Sequence, residues 1–177
     1  MKKNLIASLL CALLISSASY ARDRDAGYAG ADIILTTADH RHDDNNVRLG
    51  LGIDLGYRKN FDRVFLAPEV FYDQFDSSNS KTLQFNGRYG AKLNLGYDFD
   101  QNISGYLTYG LANLRYQLNS STDTQNKFTS IYGLGLLFKI NRNWDAKAEY
   151  TQQRFDTPYS LGTVKLNVLK VGVLYYF

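Results

Sequence analysis

The sequence predicts an all-β fold: eight antiparallel strands, joined up and down in chain order and closed into a barrel. Two features predict it. Long stretches alternate apolar and polar residues with a period of two, as strands with one greasy face do. In addition, Tyr57, Tyr97, Phe138 and Phe177 recur at spacings of 40, 41 and 39 residues, and the first three each close an alternating segment before a short polar turn. Four such units are four hairpins, hence eight strands. A propeller of forty-residue blades is the competing repeat architecture. Each unit has room for only two long strands, however, and no blade signature is present.

The first segment lies outside the barrel. Lys2 and Lys3 precede an apolar run from Leu5 to Ile15, followed by Ser16, Ser17, Ala18, Ser19, Tyr20 and Ala21. A positive start, a short apolar core and small residues at Ser19 and Ala21 define a secretory signal cleaved after Ala21. The run is short of the ~20 residues a membrane helix needs. A lipoprotein use of Cys11 is disfavoured by Leu10, which stands where a small residue is expected. The expected organisation is therefore a signal peptide over 1–21 and one barrel domain over 22–177. Cys11 leaves with the signal, so no disulfide is expected. Net charge falls from +3 to +1 with the two signal lysines. Neither nucleic acid nor a polybasic membrane contact is indicated.

The strands follow in order. The first spans about Ala26–Thr37. The second sets Val47, Leu49, Leu51, Ile53, Leu55 and Tyr57 against Arg48, Gly50, Gly52, Asp54, Gly56 and Arg58. The third, about Val64–Phe75, contains Pro68, which lacks a ladder donor and calls for a bulge or distorted pairing. The fourth sets Leu83, Phe85, Tyr89, Ala91, Leu93, Leu95, Tyr97 and Phe99 against Gln84, Asn86, Arg88, Lys92, Asn94 and Asp98. The fifth, about Ile103–Gln117, shows an apparent slip of parity at Leu111–Leu114 that suggests a bulge. The sixth runs from Phe128 to Ile140, and the seventh sets Trp144, Ala146, Ala148 and Tyr150 against Asp145, Lys147, Glu149 and Thr151. The eighth places Leu169, Val171, Val173, Tyr175 and Phe177 on one face.

Alternation does not say which face points inward, and a soluble lipocalin-like barrel also has eight strands. Three observations favour an apolar exterior. The polar face carries too many glycines and paired charges for a solvent surface. The connections Lys59–Arg63, Asp100–Asn102 and Asn141–Asn143 are short, whereas Ala38–Asn46, Asp76–Lys81, Leu118–Asn126 and Asp156–Gly162 at the other end are longer and polar. Aromatic residues gather in two girdles. Tyr57, Phe61, Tyr97, Phe99, Phe138, Trp144, Tyr175 and Phe177 lie at the short-turn end, and Tyr72, Phe75, Tyr116, Phe128, Tyr150 and Phe155 toward the long loops.

With its closing aromatic strand Leu169–Phe177, the whole mature chain resembles the small eight-stranded outer-membrane β-barrels of the OmpA/OmpX type, including opacity-like surface proteins. The resemblance implies an eight-stranded up-and-down transmembrane barrel in a Gram-negative outer membrane, with periplasmic termini and extracellular loops. It implies lipid and the barrel assembly machinery as partners, with Leu169, Val171, Val173, Tyr175 and Phe177 as the assembly signal. It is specific for class and poor for activity, because such barrels include anchors, adhesins, serum-resistance proteins and, more distantly, lipid A-modifying enzymes. No peptidoglycan-binding domain is expected after Phe177.

Inward positions near mid-height include Asp32, Asp54, Glu69 and Glu149 against Arg88, Lys92, Lys147 and Lys170. Eight strands enclose a lumen that side chains can fill, and an unpaired charge there would cost several kcal/mol. Mutual pairing is therefore expected, with Gly50, Gly52, Gly56, Gly133 and Gly135 making room for the long basic stems. A gated pore is the functional alternative. His40 and His42, within Asp39–Asp44, could in principle hold Zn²⁺ or Cu²⁺; a solvated loop tip is the expected reading, and no metal or other cofactor is expected. Ser77, Ser78, Ser80, Ser120 and Ser121 lie in polar low-complexity loops without a neighbouring base, so no enzyme is expected. What remains is a monomeric surface protein acting through its loops on a host-cell receptor, or a narrow passive channel.

Overall fold

A computed structural model of the chain describes residues 25–39, 47–75, 83–118, 124–156 and 163–177. They form β1 (Ala26–Asp39), β2 (Arg48–Phe61), β3 (Val64–Phe75), β4 (Leu83–Asp98), β5 (Ile103–Leu118), β6 (Thr124–Lys139), β7 (Trp144–Asp156) and β8 (Thr163–Tyr176). Each strand pairs antiparallel with its sequence neighbour, and β8 pairs with β1, so the barrel is closed. The pairing can be followed round the wall from Tyr28 through Gly56, Glu69, Lys92, Gly110, Ile131, Gln153 and Leu166. It returns to β1 at Ala38, ten residues above its start. Ten residues of shear over eight strands tilt them about 40° from the barrel axis. That geometry leaves an interior just wide enough for side chains.

The period of two decides which way each side chain faces. Leu51, Ile53, Leu107 and Leu134 are each more than half exposed, whereas Asp32, Asp54, Lys92, Glu149 and Lys170 are buried. An apolar exterior around a polar interior inverts a soluble barrel. The lipocalin-like alternative is thereby excluded.

Short connections close one end. Asp62 takes φ 59°, a left-handed conformation that Asp tolerates better than most residues, in the Asp62–Arg63 turn. In the next turn Asn102 N donates to Asp100 Oδ1 (3.0 Å), and in the third Asn143 N and Trp144 N both donate to Asn141 Oδ1 (2.9 and 3.0 Å). Just outside β1, the Lys59 ammonium and the Asn60 N–H hold the Asp25 carboxyl below the usual carboxylate range. The three turns fall where the sequence places them, though β2 runs on to Phe61, so Lys59–Phe61 is strand rather than turn.

Several expectations are corrected. β5 runs to Leu118 and β6 starts at Thr124, so strand occupies both ends of the stretch read as a loop over Leu118–Asn126. The bulge is in β4 between Phe85 and Gly87, not at Leu111–Leu114. There the register is continuous, with Leu111 outward and Ala112 and Leu114 inward. The sequence puts polar Asn113 on the outer face and apolar Leu114 within, which mimics a slip; Asn113 Nδ2 is satisfied by Tyr89 Oη at 2.9 Å. Pro68 is accommodated by the distorted pairing expected of it, without a bulge. The β2–β3 ladder lapses between Gly56↔Glu69 and Lys59↔Leu66 and resumes in the same register, while Pro68 still faces Leu93 on β4.

The girdle at the short-turn end includes exposed Tyr57, Phe61, Tyr97, Phe99, Phe138 and Trp144. At the other end Tyr72, Phe128 and Tyr150 are exposed, joined by Tyr89 and Tyr132. Phe75 is buried, because it shares the inward parity of Glu69 and Phe71, and so leaves the girdle expected for it. The expected signal segment, His40, His42 and the five loop serines lie outside the described residues, as do the side chains of Tyr116 and Phe155.

Candidate functional site: a charged and plugged lumen

The lumen is built in layers. Next to the short turns, Arg58 Nη2 reaches both oxygens of Asp98 at 2.8 Å, and Ser104 Oγ donates to Asp98 Oδ1 at 2.5 Å. The Arg58 guanidinium lies 3.7 Å from the centroid of the Phe65 ring. Phe65 belongs to an apolar and aromatic plug with Tyr28, Tyr106, Leu137, Leu174 and Tyr176. The Tyr28 and Tyr176 rings sit 5.5 Å apart and tilted, a favoured aromatic arrangement.

Glycines on neighbouring strands form the sockets of this plug. A Cβ at Gly56 would lie 2.4 Å from the Tyr28 ring, at Gly96 2.1 Å from Phe65, and at Gly135 2.2 Å from Tyr106. Gly50 and Gly133 instead meet the carbonyl oxygens of Gln74 and Tyr150, and Gly52 meets Asp73 Oδ1. At none of the five glycines expected to accommodate basic stems is a Lys or Arg atom among the three nearest to an added Cβ. They make room for rings, backbone and one carboxylate.

Above the plug lies the charge cluster. Lys92 Nζ contacts Glu149 Oε1 and Oε2 at 2.5 and 2.6 Å and Glu69 Oε1 at 2.9 Å. Tyr106 Oη donates to Glu149 Oε2 at 2.9 Å, while Tyr28 Oη and Asn94 Nδ2 donate to Glu69 Oε2 at 2.7 and 3.1 Å. Lys147 Nζ bridges Asp32 Oδ2 (2.8 Å) and Asp54 Oδ2. Lys170 Nζ reaches Asp73 Oδ1 at 2.6 Å and Asp54 Oδ1 at 3.2 Å. Arg88 Nε donates to Asp73 Oδ2 at 2.7 Å, and its Nη2 to Thr151 Oγ1 at 3.2 Å. Phe71, Ala112 and Ile131 pack as an apolar cluster within the same lumen.

All eight residues read from the sequence as the lumen network meet in this cluster. The sequence reading missed Asp73, which among the described residues is the carboxylate that Arg88 contacts. The signal was available: counting inward from Glu69 by twos gives Phe71 and Asp73, but Pro68 had blurred the parity of β3. It also missed the Arg58–Asp98 pair. That pair joins β2 to β4 across the lumen, where strand tilt rather than sequence spacing decides who meets whom.

The space left between plug and cluster is small. A cavity of about 10 Å³, lined in part by Tyr28, Arg58, Glu69, Asn94 and Lys147, holds about one water. In this part of the barrel the interior is filled with side chains.

The terminal strand has its own fixings. Phe177 N donates to Gly27 O at 3.0 Å, and a Cβ on Gly27 would lie 2.6 Å from the Phe177 ring. Tyr175 packs on Trp144 with ring centroids 5.0 Å apart. Leu169, Val171 and Val173 are exposed on the outer face.

A closed barrel that is apolar outside, girdled by aromatics and charged within defines an integral membrane protein of the β-barrel class. The chain belongs to the outer membrane protein beta-barrel domain family, matched over residues 7–177, and is thus an integral protein of a Gram-negative outer membrane. No curated protein matches it in sequence.

Solved structures share the fold. Ail, the attachment invasion locus protein of Yersinia pestis, superposes with a TM-score of 0.61 at 16% identity, covering 87% of this chain and 99% of Ail. Neisserial surface protein A gives 0.62 at 19% identity, over 85% and 97% of the two chains. OprG from Pseudomonas aeruginosa gives 0.52 at 14% identity, over 89% and 97%.

Proposed function

We propose that the protein is a surface-interaction module: a barrel that anchors four loops, 40–46, 76–82, 119–123 and 157–162, at the cell exterior, with both termini periplasmic. The filled lumen carries this reading. One face of the wall is committed to lipid and the other to the charge cluster and plug, so the loop-bearing end is the surface left for a partner. The protein acts by binding, without catalysis. Its terminal residues Leu169, Val171, Val173, Tyr175 and Phe177 serve the barrel assembly machinery.

Loop chemistry narrows the partner. The four loops carry Asp43, Asp44, Asp76 and Asp123, and the strand residues at their edges add Asp39 and Asp156, against Arg41 and Lys81. Ail has been solved with the heparin analogue sucrose octasulfate; here the acidic stretches are flanked at the strand ends by Arg115, Lys127, Arg154 and Lys165, so the loop end is of mixed charge and is not built for a polyanion alone. A host-surface protein with a mixed-charge patch is the partner proposed.

Replacing all four loops with short turns, in protein that still assembles, should abolish binding of the bacteria to host cells. Binding of intact protein to heparin-coated beads should stay at background. Unchanged cell adhesion after all four loops are trimmed would overturn the reading. Adhesion lost together with strong heparin binding by the intact protein would overturn only the choice of partner.

A further inference from the structure

The charge cluster does not balance, and the imbalance has an address. Asp32, Asp54, Glu69, Asp73 and Glu149 are five carboxyl groups, each 4% exposed or less, and among the described residues they contact four cations, Arg88, Lys92, Lys147 and Lys170. Of the inward guanidiniums on β2, Arg58 is engaged by Asp98 beyond the aromatic plug, and Arg48, further toward the loops, has a partner of its own. A buried surplus charge costs several kcal/mol. We infer that the cluster is a binding site for one further small cation, a proton, and that Asp32 carries it.

The donors around each carboxyl group select Asp32. Glu149 accepts from Lys92 on both oxygens and from Tyr106. Glu69 accepts from Tyr28 and Asn94 and pairs with Lys92. Asp73 is held by Arg88 on one oxygen and Lys170 on the other, and Asp54 has Lys147 on one and Lys170 on the other.

Among the described residues Asp32 accepts from one cation within hydrogen-bond range, Lys147, at Oδ2. Lys170 stands 3.6 Å from that same oxygen, beyond hydrogen-bond range. Among the described residues Asp32 Oδ1 is buried with neither a hydrogen bond nor an ion pair, whereas Glu69 Oε1 and Asp73 Oδ1, which also lack a hydrogen bond, each face an ammonium at 2.9 and 2.6 Å. Asp32 Oδ1 faces Gly172, where a Cβ would lie 2.2 Å away.

Lys147 is also shared with Asp54, so two acids of like charge meet at one ammonium. Lys92 is shared in the same way by Glu69 and Glu149, so it is the unpartnered Oδ1, and not the shared ammonium alone, that sets Asp32 apart. Ionisable groups of the cluster come from β1 (Tyr28, Asp32), β2 (Asp54), β3 (Glu69, Asp73), β4 (Arg88, Lys92), β5 (Tyr106), β7 (Lys147, Glu149) and β8 (Lys170). β6 contributes apolar Ile131 and Leu137 to the lumen wall. A resident metal ion would need several free oxygens around one point. At Asp32 only Oδ1 is free, beside two ammonium groups that repel a cation.

Infrared absorption of the refolded barrel at neutral pH in deuterated buffer reads the proton directly. The wild type should show the C=O stretch of a neutral carboxyl group, and Asp32→Asn should lack it. Asp32→Asn leaves four acids against four cations, so its urea unfolding midpoint should match wild type. Glu149→Gln removes the same charge but strips Lys92 and Tyr106 of their acceptor, so its midpoint should fall.

A wild-type spectrum without the band would overturn the inference. So would a band that persists in Asp32→Asn, or an Asp32→Asn barrel that fails to assemble or is destabilised as much as Glu149→Gln. A missing band combined with stability that rises with sodium or potassium concentration would assign the site to a metal ion instead of a proton.

Discussion

Lys92 shows how single residues hold the lumen closed. Its ammonium is the cation on Glu149 and the nearest one to Glu69, from opposite sides of the barrel. Lys92→Met keeps the stem and removes the charge, leaving both glutamates without their cation. Orphaning a buried charge costs about 3–5 kcal/mol, so the urea midpoint of the variant in lipid should drop accordingly. Unchanged stability would mean that water, rather than Lys92, neutralises those carboxylates.

Gly96 works through space instead of charge. A Cβ there would penetrate the Phe65 ring, which is held in turn by Arg58. Gly96→Ala should cost about 1–3 kcal/mol, as overpacking does, and Phe65→Leu in the same chain should recover most of it. The identity of such sockets was hidden in the sequence. An inward glycine is visible from the period of two, but the residue that fills its space comes from another strand and depends on register.

At the scale of elements, strand order, the three short turns and the face of nearly every strand residue were legible, because a half-buried wall imposes alternation residue by residue. What failed has a local cause in each case. Asn113 and Leu114 exchange the usual chemistry of the two faces, Pro68 interrupts a ladder without moving its register, and the β4 bulge near Gly87 leaves no polar signature. Two elements are open to direct test. Leu93 faces lipid beside inward Lys92, and Leu93→Arg should cost about 2–4 kcal/mol if it lies near the midplane; a neutral effect would move that position out of the bilayer. In β8, deleting Phe177 removes the ring over Gly27 and the hydrogen bond to its carbonyl. Heat-modifiable, membrane-embedded protein should then fall sharply in cells, and normal levels would remove the terminus from assembly.

For the whole molecule, ten residues of shear around eight strands set a lumen of fixed, narrow bore, and the inward side chains occupy it. The plug of Tyr28, Phe65, Tyr106 and Tyr176 lies directly under the charge cluster, so an ion entering would have to part both. That combination separates a closed anchor from a pore, two functions that a strand pattern alone serves equally well. Current through a planar bilayer containing the purified, refolded protein measures the difference most directly. Wild-type protein should give no sustained conductance, while a doubly opened variant, Lys92→Ala with Tyr106→Ala, should give discrete openings. Steady ion conductance from the wild type would contradict a shut lumen and return the protein to the channels.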